Sequence, residues 1–299
     1  MAEKKETKIP EAPEIELDKI KNTEAIQKTK SEGFDIKKGT AKRKRGGRFN
    51  FVEPETIPLP SGGRLYTQIT DDEDIKEGYI KMYPMTVKEE EILSTQRFLK
   101  SGAATRMVID NCLDSAFEAK DVLLFDSNYL LFYLRKISYG DEYTFSLKCT
   151  NSICEKEFDH TVLISELQFN ELPEDLKEPI EVKLPYTKYT VRVVLPRLYH
   201  SEEIHRRNLN RKKSTTDSDQ RLVDNLMVTT IEIITPEKEQ LEQKYWEEFF
   251  EALPGMDRAE LRDRTDFETG VDKLENVDCP YCGTNYSGSI PIGINFFRF

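Results

Sequence analysis

Between residues 86 and 140 the apolar positions recur at helical spacing. Thr86-Val87-Lys88-Glu89 has the form of a capping box, and it predicts a helix to about Leu99. Ile109, Cys112, Leu113, Ala116 and Phe117 share one face of a second predicted helix, so Cys112 reads as a small core residue. Leu130, Leu131, Leu134 and Ile137 mark a third, which Gly140 ends as a natural C-terminal cap. Beyond Gly140 the period changes to two. Tyr143, Phe145 and Leu147 alternate with polar neighbours, giving a strand that leads into Cys149, and Phe158–Leu163 continue extended. Ile180–Leu195 reads as a hairpin around Pro185.

Residues 198–270 return to helical spacing. Ser201–Lys213 reads as a basic, exposed helix, and Val223, Leu226, Met227, Ile231 and Ile234 form an apolar stripe. Thr235-Pro236 reads as a cap with proline in the first helical position. The helix it opens places Leu241, Tyr245, Trp246, Phe249, Phe250 and Leu253 on one face, as core packing would. Asp257 with Glu260 opens a last short helix. Upstream, Pro60-Ser61-Gly62-Gly63-Arg64-Leu65-Tyr66 is a tight turn before a strand over Tyr79–Met85; without a Gly-Lys-Ser/Thr ending it is not a phosphate loop. The fold predicted is α+β, with helical bundles beside short antiparallel strands.

Residues 1–48 follow neither period and contain one aromatic residue, Phe34, so they read as a disordered charged N-terminal arm; 49–299 form the α+β body, with a mainly helical insertion at 198–270. Charge separates the two. The arm has 14 Lys+Arg against 9 Asp+Glu, whereas the whole chain carries −11, leaving the body near −16. So acidic a body argues against wrapping nucleic acid and favours meeting other proteins. The basic run Lys42–Arg48 reads either as a solvated tail or as a site for nucleic acid or an acidic partner. The start Met-Ala-Glu-Lys-Lys has no apolar run behind it, and no run is long enough for a membrane anchor, which predicts a cytosolic protein with reduced thiols.

Reduced thiols make the cysteines candidate ligands. Cys279-Pro280-Tyr281-Cys282-Gly283 is a knuckle whose two thiolates can point at one ion, and Cys149-x4-Cys154 supplies the second pair. Each pair falls between predicted extended segments, as in a zinc ribbon. The predicted metal site is therefore Cys149, Cys154, Cys279 and Cys282 around one structural Zn2+, joining 141–163 to 275–294 across an intervening 124 residues. His160 lies close enough in sequence to substitute for one ligand. The three histidines, His160, His200 and His205, form no His-Glu-x-x-His, and no Gly-x-Ser-x-Gly occurs, so the chain does not read as an enzyme.

The order of these features resembles a known family. The turn Leu59–Tyr66 precedes the helix Met85-Thr86-x-x-Glu89-Glu90-x-Ile92-Leu93. Then come Leu134-Arg135-x-x-Ser138-Tyr139-Gly140-x-x-Tyr143, the first cysteine pair, and finally Cys-x2-Cys-Gly with an aromatic end. This is similar to the base-plate proteins of T4-like contractile-tailed bacteriophages, of the hub or hub-assembly type. The resemblance implies a structural or assembly subunit, present in the host cytoplasm during assembly and then in the virion, with other phage tail or base-plate proteins as partners. The aromatic end, Asn295–Phe299, docks either on the body or on a partner; on the family expectation it and the N-terminal arm touch neighbours, and removing residues 295–299 would impair assembly more than folding. The alternative reading is a zinc-ribbon nucleic-acid-binding regulator, drawing on Lys42–Arg48 and Arg206–Lys213.

Overall fold

The capping box at Thr86 closes as its sequence predicts. In the computed structural model, which describes residues 52–95, 97–98, 102–210, 217–292 and 294–297, the Thr86 backbone N–H donates to Glu89 Oε2 at 2.7 Å. That bond satisfies a group the first turn of the helix would otherwise leave free. The arm 1–48 and Leu99 lie outside the described residues, which all fall within one compact unit, Gly39–Phe299.

In chain order the strands are β1 (Glu55–Pro58), β2 (Tyr79–Met82), β3 (Glu142–Lys148), β4 (Glu157–Leu163), β5 (Ile180–Lys183), β6 (Thr190–Val193), β7 (Thr230–Ile234), β8 (Lys273–Asp278) and β9 (Asn285–Ser289). The helices are α1 (Glu73–Lys76), α2 (Val87–Ser94), α3 (Ala103–Cys112), α4 (Leu124–Tyr139), α5 (Leu198–Asn210), α6 (Asp217–Thr229), α7 (Trp246–Glu251) and α8 (Gly255–Thr265). The fold is α+β. All strand pairs are antiparallel, in sheets β1–β2, β3–β4, β5–β6–β7 and β8–β9.

The C-terminal end of α4 is where distant parts of the chain meet. The Arg135 guanidinium donates to the Gly140 and Glu142 carbonyls at 2.8 and 3.0 Å, stapling the turn from α4 into β3. Ser138 Oγ accepts the Met85 N–H at 2.9 Å, and the Tyr139 hydroxyl donates to Glu90 at 2.7 Å, which ties α2 to the same joint. The Tyr143 hydroxyl donates to the Pro291 carbonyl at 3.0 Å. Phe296 packs edge-on against Phe132 and Tyr143, each at a centroid distance of 4.9 Å. Phe296 and Phe297 are thus core residues. This corrects the expectation that the aromatic end faces a neighbour; burying a large ring against two others outweighs leaving it for a partner. Arg298 and Phe299 lie outside the described residues.

A second joint is polar and buried. Asp126, in the first turn of α4, accepts the Ser61 N–H (2.9 Å), the Ser61 hydroxyl (2.6 Å) and the Tyr66 hydroxyl (2.6 Å). Burial pushes its carboxyl up, opposed by these hydrogen bonds and by the Arg197 charge. Arg197 in turn pairs with Glu178 at 2.6 Å, both largely buried. The turn at Gly62-Gly63 makes this geometry accessible: Gly63 has φ +74°, and a Cβ there would collide with the Ile75 carbonyl. Substituting Asp126→Ala leaves three buried donors without their acceptor. At about 1–3 kcal/mol for each such group, a loss of at least about 3 kcal/mol is expected in urea unfolding, with Asp126→Asn losing less.

Four sequence expectations are corrected. The second predicted helix ends at Cys112; Leu113 bridges Met82, and Asp114 N–H donates to the Lys81 carbonyl, so the chain runs extended along the outer edge of β2. Cys112 itself is a core residue, as predicted. The helical stripe ends at Thr229, because the β-branched run Thr230-Ile231-Glu232-Ile233-Ile234 pairs with β6 as a strand. Thr235-Pro236 opens a turn rather than a helix, with Lys238 N–H donating to the Thr235 carbonyl, and the helix with Trp246 and Phe250 on its buried side begins only at Trp246. Asp257 does not cap α8. It lies inside the helix, and its carboxylate accepts the N–H groups of Tyr186 and Thr187 at 2.7 and 3.0 Å, closing the β5–β6 hairpin.

His200 is buried beside Arg197, whose backbone N–H donates to its Nδ1 at 2.9 Å. Burial, and then the Arg197 charge, bring its pKa from 6.5 down to about 4. The folded state therefore refuses a proton that the unfolded chain accepts. Stability from this residue is complete above about pH 6.5 and falls as pH drops toward 4, by up to about 3 kcal/mol. Following the urea midpoint with pH should show a shallower decline over this window in His200→Gln than in the natural chain.

Candidate metal centre

Two hairpins of matching design build the site. β3 and β4 pair in register from Glu142↔Leu163 to Lys148↔Glu157, and their connection carries Cys149 and Cys154. β8 and β9 pair, with a bulge between Leu274 and Val277, and their connection carries Cys279 and Cys282. In each connection the chain closes on itself just past the second cysteine. The Cys149 N–H donates to the Lys156 carbonyl at 2.9 Å, and the Cys279 N–H donates to the Thr284 carbonyl at 3.0 Å. The residue after each second cysteine is left-handed, Glu155 at φ +45° and Gly283 at φ +70°. Glycine adopts that conformation freely, whereas glutamate does so against a cost of about 1–2 kcal/mol. Two unrelated stretches of sequence therefore make the same bend around their cysteines.

All four predicted residues come together. The Sγ atoms of Cys149, Cys154, Cys279 and Cys282 lie within 4.8 Å of one another, with Cys149–Cys282 at 3.6 Å and Cys154–Cys279 at 4.0 Å. No pair is a disulfide. A tetrahedron of thiolates about 2.3 Å from a zinc ion has edges of about 3.8 Å, close to the 3.6 and 4.0 Å separations of those two pairs. The donor set is soft and complete, without an open position for substrate. His160 stands outside it, on β4 with its ring 5.9 Å from that of Phe145. Cys112 is separate, buried in α3.

The thiols do not share charge equally. Hydrogen bonds from the Thr284 hydroxyl and backbone N–H bring Cys282 down to about 6. Backbone hydrogen bonds at Asn151 and Lys156 also favour thiolates at Cys149 and Cys154. Burial and the neighbouring sulfurs outweigh them, and both thiols are pushed up, Cys149 to about 12.

Sequence reasoning missed the residues that hold the two knuckles to each other. Asn151 Nδ2 donates to Thr284 Oγ1 at 3.2 Å across the site, and the Lys156 ammonium lies 4.6 Å from the Tyr281 ring centroid. Their only sequence signal is position, inside or just beyond a cysteine pair.

A family described as T4 bacteriophage base plate protein matches residues 57–298, a span that includes both cysteine pairs and the joint at the end of α4. No curated protein and no solved structure matches the chain.

Proposed function

Because the chain belongs to the T4 bacteriophage base plate protein family, we propose that it is a structural or assembly subunit of the tail base plate, located in the hub and acting through protein–protein contacts. The observation that carries this reading is the length of the family match, which takes in nearly the whole body. The hub placement extends the motif resemblance at Leu59–Tyr66, Leu134–Tyr143 and Cys279–Gly283. Within this role the four cysteines hold one structural Zn2+, which when bound neutralises the clustered thiolates and cross-links β3–β4 to β8–β9. The rest of the site is this chain's own work: the hydrogen bonds of Asn151 and Thr284 orient the knuckles, and the burial of Cys149 and Cys279 excludes water. The role is architectural rather than catalytic. Partners are other tail proteins, met in the host cytoplasm during assembly and retained in the virion.

A nucleic-acid-binding zinc ribbon has less support. Arg206 and Arg207, part of the basic stretch that reading draws on, are both engaged by Glu203 on their own helix. No helix among the described residues is long and apolar enough to cross a membrane.

The test is genetic. Infection by a phage with this gene interrupted should accumulate heads and incomplete tail structures on gradient sedimentation, and plasmid-borne wild-type protein should restore complete tails. Complete tails without the protein would overturn the reading.

A further inference from the structure

We propose that the two knuckle tips form one docking surface for a neighbouring base-plate protein that seats Ile153 in an apolar recess and sets a carboxylate against Lys156. The proposal rests on the base-plate reading and names the chemistry of the partner.

Ile153 is 94% exposed, and Tyr281 is 57% exposed. Each projects from a loop between two cysteines of the cluster, and Lys156 over the Tyr281 ring brings the two loops into one patch. The loop carrying Ile153 is fixed in place. Its own N–H donates to Asn151 Oδ1 at 2.9 Å, and the N–H groups of Cys154 and Glu155 both donate to the Asn151 carbonyl at 3.0 Å. The Asn151 amide then crosses to Thr284 on the other knuckle. A knuckle needs its cysteines and its bend, but nothing in that geometry calls for isoleucine at the outermost position, where it packs on nothing. An apolar residue whose backbone is already held loses little backbone entropy when covered, which is what a docking residue gains from a rigid mount.

Charge selects the occupant. Lys148 is engaged by Glu155 at 3.7 Å, whereas Lys156 has no carboxylate partner among the described residues. Nucleic acid would need several uncommitted cations, and this tip offers one, flanked by Glu155 and Glu157. A protein recess with Asp or Glu on its rim covers the apolar tip and gives the Lys156 ammonium, held over the Tyr281 ring, a carboxylate partner.

The experiment places a photo-crosslinking phenylalanine derivative at position 153 of the full chain, supplied during infection by phage lacking the gene, alongside the variants I153E and K156E. The expected result is a crosslink to a recess lined by apolar and acidic residues of another tail protein. Infectious yield should fall at least about 10-fold for I153E and for K156E, while purified I153E keeps the natural chain's metal content and melting temperature. Ile153→Ser serves as the reader should I153E fail to fold. Natural yield from I153E or I153S, or a crosslink to nucleic acid or to a second copy, overturns the proposal. Loss of the gene itself separates the two claims. If tails form without it, the base-plate reading fails; if tails need it but tolerate I153E, only the docking surface fails.

Discussion

With zinc bound at the four cysteines as proposed, replacing Cys149 or Cys279 with serine is expected to remove the metal and to separate β3–β4 from β8–β9. Structural zinc contributes roughly 10–16 kcal/mol apparent at neutral pH, while a whole domain is stable by about 5–15 kcal/mol. Losing the ion therefore removes an amount comparable with the net stability of the fold. Both cysteines are buried at the base of their knuckles, so water cannot take over the lost ligand without opening the site. Thermal unfolding by circular dichroism should show an early transition or none, and metal content should fall to a small fraction of the natural value. Cys112→Ala is the control. It lies in α3 away from the cluster and should keep the metal, with a packing loss of about 1 kcal/mol. Cysteine-to-serine variants that melt like the natural chain would show that the four thiols carry no ion.

The second large effect is expected at the C-terminal aromatics. Phe296 is fully buried and meets the rings of Phe132, Tyr143 and Phe297. Phe296→Ala should cost about 3–5 kcal/mol in urea unfolding, the range for a large ring removed from a packed core. Because Tyr143 also donates to Pro291, the same change should loosen the final segment from β3. Three phenylalanines in the last four residues read as docking either on the body or on a partner, and Phe296 and Phe297 take the first course. A variant with a natural urea midpoint that nevertheless blocks tail assembly would return Phe296 to the role of partner contact.

The particular elements show what a sequence can carry. Both cysteine pairs were legible because ligand spacing is a local property, and the two pairs do converge across the 124 residues between them. The capping box at Thr86, the end of α4 at Gly140 and the alternation of β3 were legible for the same reason. Where periods compete, locality fails. The run Val223–Ile234 reads as one helical stripe, yet its second half pairs with β6, because β-branched residues and an available strand edge outweigh apolar spacing. Residues whose role is set by a distant partner were not legible at all. Asp126 looks like an ordinary acidic residue in the first turn of a helix, and Asp257 like a helix cap. Each instead binds a turn some 60–70 residues away in sequence. Nothing local marks Ile153 either, since its exposure depends on how the knuckle bends.

Native mass spectrometry of the intact protein tests the central claim most directly, because it counts bound ions without assuming which side chains hold them. The account predicts one zinc ion per chain in the folded charge states, lost together with those states when a strong chelator is added. A folded chain at its bare mass, with the thiols of Cys149, Cys154, Cys279 and Cys282 open to alkylation, would contradict it.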